Sequence, residues 1–274
     1  MKGMKVLAVA AVAVLMFGAC RGMTGETVEI VSEFSVEPQA ELQLENVTGT
    51  VQITGADRST VALQALVIDQ GLALNSRYVD VHDVSIRVEG DAKVRMYHHP
   101  FDAANIRVDY QLEVPRDFRV SEISTVTGDI ELVGVTGDPA LYTTTGDVRV
   151  NGVDGTVTAS VVTGDILVLD AAAIGSLSTV TGSIEAEVLG LAGGDAKITF
   201  ETTTGSITIA VDPTLGLSIQ ARTVTGRVTV DESLGINLAS SARQANLTVG
   251  GGGRLVTIQA TTGNIRIIRA RLDG

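Results

Sequence analysis

Three aspartates recur at one spacing in this chain. Asp129, Asp147 and Asp165 each follow a glycine, at 128, 146 and 164, so each is 18 residues from the next. If each repeat is one turn of a stacked sheet, their carboxylates form a column about 5 Å apart. Such a column has three chemical readings. It could hold Ca²⁺, which takes several oxygen ligands. It could act as a glycosidase-type carboxylate pair. Or each Asp could simply bond nearby backbone amides at a turn. The same position later carries Ser183, Ser206, Arg227 and Asn264, which suits a turn better than a ligand set. No cofactor or catalytic residue is therefore assigned, and Asp129, Asp147 and Asp165 stand only as metal candidates. The three histidines, His82, His98 and His99, lie outside the array. His98-His99-Pro100-Phe101 reads as a loop with exposed side chains; with His82 and Asp102 it offers metal-binding groups, but without ligand spacing. Ser and Thr are abundant, yet no base accompanies them, so no acyl-transfer triad can be drawn.

The elements that must carry these residues are written in the same repeat. Val-Thr-Gly-Asp-Ile at 126–130, Thr-Thr-Gly-Asp-Val at 144–148, Val-Thr-Gly-Asp-Ile at 162–166 and Val-Thr-Gly-Ser-Ile at 180–184 are followed by looser copies around Gly205, Gly226 and Gly263, with an early one at Gly49. A fixed period of this size marks a solenoid whose units bury their apolar faces against neighbours. Strand side chains alternate, so Ile123, Thr125 and Thr127 share an inner face, as do Leu141, Thr143 and Thr145. After the Gly-Asp corner the inner face resumes at Ile130 and Leu132, and in later copies at Val148 and Val150. In-register stacking in chain order sets Glu201 beside Arg222, pairing opposite charges. The expected fold is all-β, a parallel β-helix of about 18–23 residues per regular coil, with extra strands near the N-terminus.

Five segments follow. Residues 1–19 read as a signal peptide: Lys2 and Lys5 precede an apolar run from Val6 to Phe17 that is short for a membrane span. Phe17-Gly18-Ala19-Cys20 then places the chain's single cysteine where a lipoprotein signal is processed, making Cys20 the expected lipidation site. Residues 20–39 form an anchor and linker, 40–120 a first coil with extended strands, 121–268 the regular repeats, and 269–274 a tail that frays. Losing Lys2 and Lys5 moves the formal charge from −12 to −14, which argues against nucleic acid as a partner.

Thr125-Val126-Thr127-Gly128-Asp129-Ile130 and the Val114-Pro115-Arg116-Asp117 lead-in resemble the bacterial putative-adhesin family of envelope proteins, a domain of unknown function. The likeness spans about residues 40–268. It implies a right-handed β-helical surface protein without a defined ligand. Flat threonine arrays on solenoids can order ice, but the assigned inward parity of the Thr-x-Thr pairs argues against that here. A chain without Trp and with only four Tyr and five Phe offers few platforms for sugars. The expected protein is a non-enzymatic, lipid-anchored envelope component, outer-membrane or periplasm-facing in a Gram-negative cell, whose surface binds an envelope protein or glycan or serves as a scaffold. The alternatives are a carbohydrate-active β-helix using the Asp corner and a structural or sensory envelope component.

Overall fold

The computed structural model describes residues 25–71, 79–90, 92–101, 105–191, 197–234 and 239–270. The expected leader, Cys20 and Asp102 lie outside these residues. Within them the regular structure is strand, with two short 3-10 turns at Val81–Asp83 and Glu232–Leu234. The all-β expectation therefore holds, although the pairings are mixed rather than uniformly parallel. Two compact units divide the chain, Met1–Gly137 and Asp138–Gly274.

The first unit contains β1 (Thr27–Ser35), β2 (Glu41–Glu45), β3 (Val51–Ala56), β4 (Thr60–Asp69), β5 (Ser85–Glu89), β6 (Lys93–His99), β7 (Ile106–Pro115), β8 (Arg119–Thr127) and β9 (Ile130–Val133). Strands β2 and β3 flank the Gly49 corner, as the sequence predicts for a first coil. That coil is not at the end of its stack. Strand β2 lies between β6 and β8, and β3 between β7 and β9, all parallel. The segment without a visible period supplies two further strands parallel to these, β6 and β7, together with antiparallel partners: β5 on β6, and β4 between β7 and β1. Alternation of β-branched and polar residues gives these strands one buried face, with Val61, Leu63, Ala65 and Val67 inward on β4.

The second unit contains β10 (Ala140–Thr145), β11 (Val148–Thr163), β12 (Ile166–Thr181), β13 (Ile184–Val188), β14 (Ile198–Thr204), β15 (Ile207–Val211), β16 (Leu217–Thr225), β17 (Val228–Val230), β18 (Ala239–Ser241), β19 (Gln244–Val249), β20 (Arg254–Thr262) and β21 (Ile265–Arg269). Parallel, in-register pairing joins successive repeats, with Val148 opposite Ile166, then Ile166 opposite Ile184, then Ile184 opposite Ile207. Chain order then breaks. The last repeat slides in, so β20 lies between β14 and β16 and β21 between β15 and β17. The corners therefore stack as Gly146, Gly164, Gly182, Gly205, Gly263 and Gly226. Gln259 comes to lie opposite both Glu201 and Arg222, so these charges do not stack side by side as expected. The return needs a sharp reversal after β19, made by four consecutive glycines at 250–253, all with positive φ. Strand β19 runs antiparallel along the other edge of β16. Two residues assigned to the tail belong to the sheet: Arg269 pairs with Val211 in β21, and the Ala270 amide donates to the Val211 carbonyl at 2.9 Å.

The Thr-Gly-Asp corner follows from hydrogen-bond accounting. Every buried backbone donor and acceptor needs a partner. Along the stack, the Gly146, Gly164 and Gly182 amides donate to the carbonyls of Thr163, Thr181 and Thr204, and Val148 and Ile166 donate to Asp165 and Ser183. At three corners the glycine carbonyl takes its bond from a side chain instead. Thr179 Oγ1 donates to the Gly164 carbonyl at 3.0 Å, Thr202 to Gly182 at 3.0 Å and Thr223 to Gly263 at 2.8 Å. The amide after the glycine does the same: that of Asp165 donates to Asp147 Oδ1 at 2.8 Å, that of Ser183 to Asp165 Oδ1 at 2.7 Å, and that of Arg227 to Asn264 Oδ1 at 2.9 Å. Arg227 sits at the last described corner of the stack, where no further described corner amide needs an acceptor.

This geometry corrects the inner-face assignment. The first Thr of each pair is buried, as at Thr125, Thr143, Thr179, Thr202 and Thr223. The second is exposed, as at Thr127, Thr145, Thr163, Thr181, Thr204 and Thr225. The chain starts to turn one residue before the glycine, so two consecutive side chains face out and strict alternation ends early.

In the first unit Asn46 replaces the buried Thr, its Nδ2 donating to the Val108 carbonyl at 2.9 Å and to Gly49 at 3.0 Å. Because Asn46 already serves Gly49, the buried Thr125 hydroxyl has no partner among the described residues. Thr179→Val and Thr202→Val should each lower unfolding free energy by about 1–3 kcal/mol, whereas Thr125→Val should be neutral or stabilising. Urea unfolding of the three variants checks this; equal losses at all three positions would overturn the accounting.

Candidate functional site

The outward residues before the corner form rows across the second unit. One row reads, in stacking order, Tyr142, Ser160, Ser178, Glu201, Gln259 and Arg222. Ser178 Oγ lies 3.3 Å from Ser160 Oγ, to which it donates. Two residues further along each strand comes a β-branched row, Thr144, Val162, Val180, Thr203, Thr261 and Val224. Its three valines are 47–54% exposed, so this strip is apolar and wet. The corner threonines Thr145, Thr163, Thr181, Thr204, Thr262 and Thr225 follow as a third row. A groove runs between the first two rows across five stacked strands, from Ser160 and Val162 to Arg222 and Val224. Sequence parity located the row members but not their stacking order, because Gln259 comes from the inserted repeat. The exposed Thr row also removes the parity objection to a water-facing threonine surface, although Glu201 and Arg222 bring charge into the first row.

In the second unit, Asp147 and Asp165 sit at the corner, outside the lining of the groove. Asp147 is engaged on both oxygens, by the Asp165 amide and by Arg149 Nη2 at 2.7 Å. Asp165 accepts the Ser183 amide. Asp129 lies in the first unit, where its carbonyl accepts from the Val51 amide at 2.9 Å. These bonds are the turn chemistry that the later Ser and Asn copies preserve.

The histidines part company. His98 is not in an exposed loop: it is the penultimate residue of β6, on the inner face, 1% exposed, with its ring 5.5 Å from that of Phe101. His99, next along, points outward. His82 lies on the 81–83 turn, its Nδ1 3.0 Å from Asp80 Oδ1 and its Nε2 3.8 Å from Glu26 Oε1. Glu26 and Asp80 were not singled out from the sequence, since 54 residues separate them and no local spacing links them.

No family model matches the chain, and no curated protein does. Several solved structures are distantly similar to it. A putative cell adhesion protein from Clostridium sporogenes is 14% identical over 89% of this chain and 100% of its own, at a TM-score of 0.41. A putative adhesin from Bacteroides fragilis is 13% identical over 88% and 97%, at 0.42. A putative lipid binding protein from Parabacteroides distasonis is 12% identical over 87% and 96%, at 0.31. At these scores the likenesses assign this chain neither a detailed fold nor a function.

Burial pushes the His98 imidazole down to about 4, helped by the neighbouring His99, against about 6.5 in an unfolded chain. Between those values the unfolded state binds more protons than the folded one. Stability is therefore retained above pH 6.5 and falls as pH drops toward 4, by on the order of 3 kcal/mol. Denaturant unfolding at several pH values should show a shallower acid slope for His98→Phe than for the parent. Identical slopes would mean that another group sets the pH dependence.

Proposed function

We propose that this chain is a non-enzymatic, lipid-anchored envelope protein whose stacked strands form a short β-solenoid, right-handed by the resemblance of its repeat. On this reading the second unit binds an extended envelope ligand along the groove. The observation that carries the reading is the in-register alignment of a hydrogen-bonding row beside a β-branched row over successive strands. One contact set per strand suits a ligand that is itself linear and repetitive. Hydroxyl, carboxylate, amide and guanidinium groups in one line favour a glycan strand over a protein, whose interface would call for an apolar, charge-depleted centre. Tyr142, at one end of the same row, adds a ring at which a sugar face can rest. The engagement of Asp147 and Asp165 in corner bonds supports a structural role for them over the carbohydrate-cleaving alternative. Attachment through Cys20 puts this surface in the envelope, on the outer membrane where the cell has one.

Arg222→Ala with Glu201→Ala should weaken binding to isolated envelope glycans by tenfold or more while circular dichroism stays unchanged. Retained binding in that variant, or release of cleaved glycan by the purified protein, would overturn the reading. Separately, cells fed labelled palmitate should label the parent chain but not Cys20→Ala; equal labelling of both removes the anchor.

A further inference from the structure

The first unit holds a cluster of metal-binding groups of its own. Glu26 directly precedes β1, and Asp80 and His82 belong to the turn that follows β4. Their ligand atoms all lie within 4.8 Å of one another, and all three side chains are exposed. Asp80 orients the histidine. Its Oδ1 accepts the His82 backbone amide at 2.9 Å and faces Nδ1 at 3.0 Å, so Nδ1 carries the proton and Nε2 keeps its lone pair for something else. A carboxylate that fixes the tautomer of a histidine in this way is the usual outer support of a metal-binding imidazole.

What Nε2 faces is the Glu26 carboxylate, at 3.8 Å. That separation is too long for a hydrogen bond. Two ligands on a tetrahedral zinc, with bonds of about 2.0–2.2 Å, stand about 3.4 Å apart. A small rotation of the exposed Glu26 side chain makes up the difference.

We propose that Glu26 and His82 Nε2 bind a zinc ion, with Asp80 holding the imidazole and water completing the coordination. One nitrogen and one carboxylate ligand favour zinc over calcium and magnesium, which want oxygen alone. Two protein ligands with water make the site exchangeable rather than a closed structural centre. Its mechanical effect is local. The ion ties the residue that leads into β1 to the turn between β4 and β5, and β1 is held along its whole length by antiparallel pairing with β4. Asp69, whose Oδ1 accepts from Gly71 and Asn105, and Asp83 on the same turn add negative charge that draws the cation in.

The test uses the full-length chain in detergent with Cys20→Ser, so that the thiol does not compete for metal. Zinc chloride is titrated by calorimetry, and thermal unfolding is followed with and without zinc. One zinc should bind per chain and raise the melting temperature. His82→Ala should weaken binding at least tenfold and abolish the thermal shift, Glu26→Gln should weaken it about tenfold, and Asp80→Asn should also weaken it tenfold or more, as loss of an outer carboxylate does. His99→Ala, as a control, should bind like the parent. The proposal fails if zinc does not bind, if His82→Ala binds as the parent does, or if calcium binds the same residues as tightly as zinc.

Discussion

The close approach of one corner to the next governs the rest of this protein. At Gly164, Gly182, Gly205 and Gly263 a Cβ would fall 1.8–2.0 Å from the carbonyl oxygen of the glycine in the adjacent corner, well inside contact distance. The backbone there also sits at φ of +146° to +149°, where side chains are strained. Only glycine allows neighbouring corners to nest this tightly. Nesting turns the glycine carbonyl toward its neighbour and leaves the following amide without a ladder partner. At Gly164, Gly182 and Gly263 a buried Thr answers the carbonyl, and the Asp, Ser or Asn after the glycine answers the amide of the next corner. The motif is thus one device: glycine permits the approach, and two side chains supply the hydrogen bonds that the approach removes from the backbone ladder.

Sheet edges impose the second constraint. A stack of parallel strands ends in a row of unpaired amides and carbonyls that invites another chain to add on. Both units cover such an edge with antiparallel strands: β4 and β5 on β7 and β6, and β19 on β16. This explains why the N-terminal region looks aperiodic. Its strands alternate in burial as the repeats do, but some run against the parallel direction and carry no corner. In-register pairing of the second unit's strands is what lets polar and β-branched side chains line up along its groove.

Much of this was legible in the sequence because the corner is local. The glycine spacing, the inner Ile and Val after each corner and the buried first threonine could all be read from residue type and order. The outward second threonine could not, because alternation assumes an extended chain and the turn begins one residue before its glycine marker. The position of Gln259 between Glu201 and Arg222 depended on which repeat lies beside which, and nothing in the repeat encodes that choice. His98 was misplaced because a His-His-Pro string looks like a loop, while its burial depends on Phe101 and on the inner face of β6. The cluster of Glu26, Asp80 and His82 was invisible for a similar reason: it exists only because the antiparallel pairing of β1 with β4 brings distant segments together.

The insertion of β20 and β21 between two earlier repeats has a temporal meaning. Strands β14 and β15 on one side, and β16 and β17 on the other, are both synthesised before the strands that join them. Until those arrive, each side of the slot exposes an edge that cannot close on its neighbour in sequence without excluding the proper occupant. The second unit therefore cannot be completed by winding in chain order. Stacking order and chain order part at the last repeat, so β16 and β17 reach their parallel partners only through strands made after them.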